Sequence, residues 1–130
     1  MNPSEPHLIR LHGPWEVTAG LDNSPQRVRL PDSIEVPQNA NVAVSSLHFS
    51  RAFGLPTNID AKSVRLIVEE IGGPGTLDLN GEWLANADAG DDIAIDVTPM
   101  LRSRNRMTLR IQIEGCQSIT PFRAVRLEIT

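Results

Sequence analysis

RMTLRIQIE, Arg106 to Glu114, alternates polar and apolar side chains at every position. Met107, Leu109, Ile111 and Ile113 fall on one face of an extended chain, with Arg106, Thr108, Arg110, Gln112 and Glu114 on the other, because successive Cβ atoms of a strand point to opposite sides. A surface helix would repeat its apolar positions every three or four residues instead. The segment therefore reads as a half-buried strand. Two neighbours share its period: AVRLEIT sets Val125, Leu127 and Ile129 against Ala124, Arg126, Glu128 and Thr130, and DIAIDVT sets Ile93, Ile95 and Val97 against Asp92, Asp96 and Thr98. Leu109, Ile111, Ile113, Val125, Leu127, Ile93 and Ile95 are expected inside.

Weaker strand patterns cover His7 to Leu11, Trp15 to Thr18, Arg27 to Leu30, Leu47 to Phe53, Val64 to Ile71, Thr76 to Leu79 and Glu82 to Ala85, for about nine or ten strands in all. Gly13-Pro14, Pro31, Pro56, the GGPG stretch Gly72 to Gly75, Pro99 and Pro121 punctuate them. Many short strands with frequent turn signals indicate an antiparallel β-sandwich or barrel. No segment has the pattern of an amphipathic helix. Ser33 to Ser46 has weak periodicity and reads as a long crossover with at most one short strand. With no linker, repeat or low-complexity tract, residues 1–130 read as one domain.

Asn80-Gly81, between TLDL and EWLA, is the preferred pair for a type I′ hairpin turn, since both residues tolerate positive φ. A two-residue loop pairs Leu79 with Glu82, Asp78 with Trp83 and Leu77 with Leu84. Leu77 and Leu84 then face the core, and Asp78 and Trp83 face outward.

Composition narrows function. The chain is 40% hydrophobic and 22% charged, which is the range of folded globular proteins. Twelve basic against sixteen acidic residues leave a net charge of -4, with no cation excess for a phosphate backbone or an anionic membrane. Arg27, Arg29, Arg65, Arg110 and Arg126 sit at alternating strand positions, as on solvated outer faces. Neither nucleic acid nor membrane is an expected partner. The N-terminus lacks a basic stretch followed by an apolar run, and Cys116 is the only cysteine, so a cytoplasmic location is expected.

No constellation for chemistry emerges. Glu69 and Glu70 are adjacent and point to opposite faces, so they cannot share a bond as a glycosidase acid pair does. Asp88, Asp91 and Asp92 form an acidic loop with the oxygen chemistry of a Ca²⁺ site, but its simpler reading is a solvated turn. His7, His12 and His48 lack metal-ligand spacing, and one cysteine makes no Cys/His framework. There is no G-x-S-x-G elbow to present a nucleophile, and nothing near Cys116 lowers a thiol pKa. No metal, cofactor or catalytic residue is expected.

Taken in order, the segments resemble the N-terminal sugar-binding-like domain of family 2 glycoside hydrolases, which include β-galactosidases and β-glucuronidases. LHGPWEVT is similar to the family's L-x-G-x-W opening, RVRLPDS to its V-P-G-S segment and HFSRAFGLP to its aromatic-x-R-x-F-x-L-P strand. The later half resembles its L-N-G hairpin, F-D-V-T strand end, leucine turn and N-x-L-x-V-x-V strand, at Asn80, Gly81, Asp96, Val97, Thr98, Leu101, Asn105 and Leu109. The resemblance spans roughly Leu11 to Ile113 and implies a galactose-binding-like jelly roll of two antiparallel sheets. The family's catalytic carboxylates belong to a separate barrel with no counterpart in this sequence, so the resemblance implies no enzyme activity. Phe49 replaces the usual Tyr, and Asn86, Asp88 and Ala89 replace the Gly and aromatic positions after the hairpin.

Two functions follow as expectations. One is a non-catalytic carbohydrate-recognition module, with Trp83 stacking on a sugar while Asp78, Asn86 and Asp88 accept hydroxyl hydrogen bonds. The other is an interaction or scaffold domain that joins a protein partner or a second copy of itself. Tyrosine is absent, and Trp15, Phe49 and Phe53 hold core positions, leaving Trp83 and Phe122 as the surface aromatics.

Overall fold

The computed structural model describes residues 7–11, 13–19, 26–30, 34–35, 46–55, 62–113 and 118–130. His12, Cys116 and most of the Ser33 to Ser46 connection lie outside the described residues. The strands are β1 (His7–Arg10), β2 (Gly13–Ala19), β3 (Gln26–Leu30), β4 (Ile34–Glu35), β5 (Ser46–Gly54), β6 (Val64–Glu69), β7 (Gly75–Leu79), β8 (Glu82–Ala87), β9 (Ile93–Asp96), β10 (Arg104–Gln112), β11 (Ser118–Ile119) and β12 (Ala124–Ile129). One 3₁₀ turn, Thr98–Met100, follows β9. Among the described residues no helix is long and apolar enough to cross a membrane.

Two antiparallel sheets form a jelly-roll β-sandwich. The larger has the order β3-β2-β5-β10-β7-β8 and the smaller β1-β12-β6-β9, while β4 and β11 make a separate two-stranded pair. Alternation is the cause: β10 reads exposed, buried, exposed, buried along its length, and Met107, Leu109 and Ile111 are fully buried. They join Trp15, Leu47, Phe49, Leu77 and Leu79 from the large sheet against Val64, Leu66, Val68, Ile93, Val125, Leu127 and Ile129 from the small one, in one apolar cluster. Of the seven residues expected inside, six are buried. Ile95, on the edge strand β9, is only half-buried, because no further strand covers it.

The Asn80-Gly81 turn forms as expected, with φ of 54° and 83°. Its register departs from a plain hairpin after two pairs. Leu79 faces Glu82 and Asp78 faces Trp83, but Leu77 faces Ala85 and not Leu84. Leu84 is the extra residue of a β-bulge, unpaired and half-buried, so the strand beyond it changes face.

Phe122 is a second correction. It is 1% exposed, its ring centroid 5.1 Å from that of Trp15 and tilted by 51°. Its apolar burial against the larger indole outweighs its position in a loop between strands. Trp15 is fully buried, and its indole N–H donates to the Leu11 carbonyl at 3.2 Å.

Among the described residues, Asn105 is the buried polar residue in this apolar interior, 3% exposed. Its Oδ1 accepts from the Arg102 N–H (2.9 Å) and from Asn80 Nδ2 (3.0 Å), while its Nδ2 donates to the Arg102 carbonyl (2.8 Å). Asn80 also accepts from the Arg106 N–H and donates to the Met100 carbonyl.

Trp15→Ala should lower stability by about 3–5 kcal/mol, since it removes the largest buried side chain. Thermal melts check this. Asn105→Ala should cost on the order of 1–3 kcal/mol by leaving the Arg102 backbone groups and the Asn80 amide without their partner. Denaturant titration with an unchanged slope is the measurement.

Candidate functional site

The outer face of the large sheet collects the polar half of each alternating strand. Register places Arg27 of β3, Glu16 of β2, Ser50 of β5, Thr108 of β10, Asp78 of β7 and Trp83 of β8 in one row across the sheet. Thr18, His48, Arg110, Thr76 and Asn86 form the adjoining row. Neighbouring strands lie about 4.8 Å apart, so each row is a continuous line of side chains.

Trp83 stands at the β8 edge and is 62% exposed. Its indole N–H donates to Asn86 Oδ1 at 3.0 Å, and the Thr76 hydroxyl donates to the same oxygen at 3.2 Å. The bulge makes this possible. In an unbroken strand Ala85 would share Trp83's face and Asn86 would point inward; the extra residue Leu84 turns Asn86 outward to sit opposite Thr76. The indole is thus held by one hydrogen bond with its ring available for stacking.

Three of the four residues expected at a site meet here: Trp83, Asp78 directly across from it, and Asn86. Asp88 is placed apart, in the turn after β8. Its N–H donates to Asp91 Oδ2 at 3.0 Å and its carbonyl accepts from the Asp91 N–H. The Asp92 carboxylate accepts the Glu70 N–H at 2.8 Å. These carboxylates serve as turn caps, and among the described residues no group of three or more His, Cys, Asp or Glu is placed to hold a metal ion. Glu69 lies 3.1 Å from Arg126 and Glu70 lies 3.4 Å from Arg123, so each of the two adjacent carboxylates pairs with a different guanidinium.

Sequence reasoning missed Thr76, His48, Arg110, Thr108, Ser50 and Glu16 as parts of this face. Their outward positions were legible from alternation, but the strand order that aligns them was not. His48 titrates below the ordinary imidazole value because burial disfavours its charged form and Arg110 repels it, with Asp78 partly opposing.

No protein-family model matches the sequence, and no curated protein matches it. The fold, in contrast, is shared with parts of several glycosidases. A β-glucuronidase from an uncultured Clostridium sp. superposes with a TM-score of 0.80 at 16% identity, over 100% of this chain and 30% of that one. A β-D-glucuronidase from Dictyoglomus thermophilum gives 0.79 at 12% identity, over 100% of this chain and 29% of that one. A putative β-galactosidase from Bacteroides fragilis gives 0.76 at 14% identity, over 97% and 23%. The chain therefore has the fold of a domain-sized portion of these enzymes and spans less than a third of their length.

The lowered His48 pKa has a consequence for stability. The unfolded chain takes up this proton more readily than the folded one, so the contribution of neutral His48 is present above the ordinary imidazole pKa of about 6.5 and is lost as pH falls below it. His48→Gln should make the melting temperature less sensitive to pH on that acid side. Parallel melts of the two proteins across neutral and mildly acidic pH check it.

Proposed function

We propose that this chain is a non-catalytic carbohydrate-recognition module, the counterpart of the sugar-binding-like domain of the glycosidases whose fold it shares. The observation that carries this reading is the exposed Trp83 indole, oriented by Asn86 at the end of a row of hydroxyl and carboxylate side chains. A sugar ring presents an apolar face of C–H groups and a rim of hydroxyls. A flat indole meets the first, while Asp78, Thr76 and Asn86 beside it meet the second. Asp88 lies in the turn beyond the opposite end of β8 from Trp83 and is the more peripheral contact in this reading. The absence of a role in hydrolysis is supported by Glu69 and Glu70, which are held apart in separate ion pairs.

A second reading, a protein interface, is favoured by one feature. Trp83 lies on β8, the terminal strand of the large sheet, whose outer edge pairs with no other strand among the described residues, as a second chain would need.

Trp83→Ala tests both. Because the side chain is outward, the variant should fold with stability within about 0.5 kcal/mol of the wild type. It should lose glycan retention on an array of neutral and acidic oligosaccharides. Since Trp15 is fully buried, collisional quenching of fluorescence reports Trp83 selectively. Protection of Trp83 by a glycan supports carbohydrate recognition; protection that grows with protein concentration, without glycan, supports the interface instead. An unfolded variant would show that Trp83 supports the structure and would overturn both.

A further inference from the structure

Two arginines of β10, Arg106 and Arg110, stand on the outer face of the large sheet and are treated differently by their neighbours. Arg106 is matched: its Nη1 donates to Ser50 Oγ at 2.9 Å and lies 3.6 Å from Glu16 Oε2. Arg110 is exposed and, among the described residues, has neither an ion pair nor a hydrogen bond from its side chain. Register sets it directly opposite His48 of β5, with Thr18 of β2 beyond His48 and Thr76 of β7 beyond Arg110. That row contains no carboxylate. Asp78 of β7 faces the pair from the adjoining row.

The charges around His48 decide what the pair can hold. Glu16 of β2 and Arg106 of β10 cancel, and Asp78 balances Arg110, so the patch is neutral while the imidazole is neutral and positive once it is protonated. In the free protein, burial and then Arg110 oppose that protonation, and Asp78 partly offsets them. An anion seated between guanidinium and imidazole reverses the balance, because it attracts both and screens each from the other. Adjacent strands lie about 4.8 Å apart, which lets one oxyanion reach donors on both. The guanidinium offers a planar pair of N–H groups to carboxylate or sulfate oxygens, and the imidazole adds another.

We propose that Arg110 and His48 together hold the carboxylate or sulfate of an acidic sugar residue on the outer face of the large sheet. Binding is then proton-linked. A seated anion favours the imidazolium, and by reciprocity the imidazolium favours the anion, so affinity rises as pH falls through the imidazole range. The position also sets a direction. Arg110 stands two strands and one row from Trp83, on the order of 12 Å, within reach of a short oligosaccharide. Asp78 beside the indole repels an anionic ring from that end, which leaves the indole to a neutral ring and the β10 and β5 side to the acidic one. That the anion belongs to a sugar rests on the carbohydrate-recognition reading; the pairing of Arg110 with His48 does not.

NMR of the His48 ring separates the two. In a Trp83→Ala background its resonance, identified as the one lost in His48→Gln, is followed through a pH titration alone and with sodium glucuronate, methyl glucoside 6-sulfate or neutral methyl glucoside. Ionic strength is held constant so that screening is the same throughout. At least one acidic probe should raise the titration midpoint of His48, saturably, and the neutral probe should leave it in place. Affinity for that acidic probe should rise roughly three- to tenfold from the alkaline to the acid side of the imidazole range, and should stay flat in His48→Gln. Arg110→Gln should weaken it roughly tenfold, as expected for losing a charged hydrogen bond. Response to glucuronate alone identifies a carboxylate site, and response to the sulfated sugar alone a sulfate site. A midpoint moved by neither acidic probe, or moved equally by the neutral one, overturns the proposal whatever the outcome at Trp83, and so does binding that Arg110→Gln leaves unchanged. With Trp83 intact, the preference for acidic over neutral oligosaccharides should grow as pH falls. Equal, pH-independent binding of both that is lost in Trp83→Ala overturns the Arg110 and His48 site and leaves the reading at Trp83 standing.

Discussion

The pair Asn80 and Asn105 is the constraint on which the large sheet depends. Asn80 occupies the left-handed turn between β7 and β8, and its side chain bridges the Met100 carbonyl, the Arg106 N–H and Asn105. Asn105 in turn closes both backbone groups of Arg102. A buried amide that lost any of these partners would be costly, so the network admits one arrangement of the hairpin against the start of β10. Apolar packing alone would tolerate a shifted hairpin; the amides fix where the turn sits, and hence that Asp78 and Trp83 stand opposite each other on the outer side.

The small sheet closes by a similar device. Asp96 accepts from both the N–H and the hydroxyl of Thr98, which hold its carboxyl below the ordinary carboxylate range, and Thr98 Oγ1 accepts the Val64 N–H at 2.8 Å. The end of β9 is thereby tied to the start of β6. The two outer faces nevertheless differ in what they offer a ligand. On the small sheet Arg126 lies between Glu69 at 3.1 Å and Glu128 at 3.0 Å, so charges there are spent on one another. On the large sheet the central strands carry the hydroxyls of Ser50, Thr108 and Thr76 and the Asp78 carboxylate, interleaved with His48, Arg106 and Arg110.

Legibility divides along the same physical line. Alternation in β10 and β12 fixed the buried set because side-chain direction in a strand is a local property. The Asn80-Gly81 turn was likewise written in two residues. The Leu84 bulge was not, because it is decided by how β8 meets β7 and leaves no mark on hydrophobic periodicity. Phe122 was misplaced for a related reason: a residue between strands has no period to read, and its burial depends on the Trp15 ring that comes from more than a hundred residues earlier. The pairing of Ser118–Ile119 with Ile34–Glu35 likewise joins segments distant in sequence, and two-residue strands carry no pattern of their own.

The bulge also decides the chemistry of the candidate site. With Ala85 outward, the indole would lie beside a methyl group and its N–H would need solvent or a ligand as partner. With Asn86 outward, one amide oxygen receives both the indole N–H and the Thr76 hydroxyl, and the ring is oriented before any ligand arrives. Orientation in advance removes part of the ordering cost that binding would otherwise incur. The feature that sequence periodicity could not reveal is therefore the one that turns a solvent-exposed tryptophan into a positioned one.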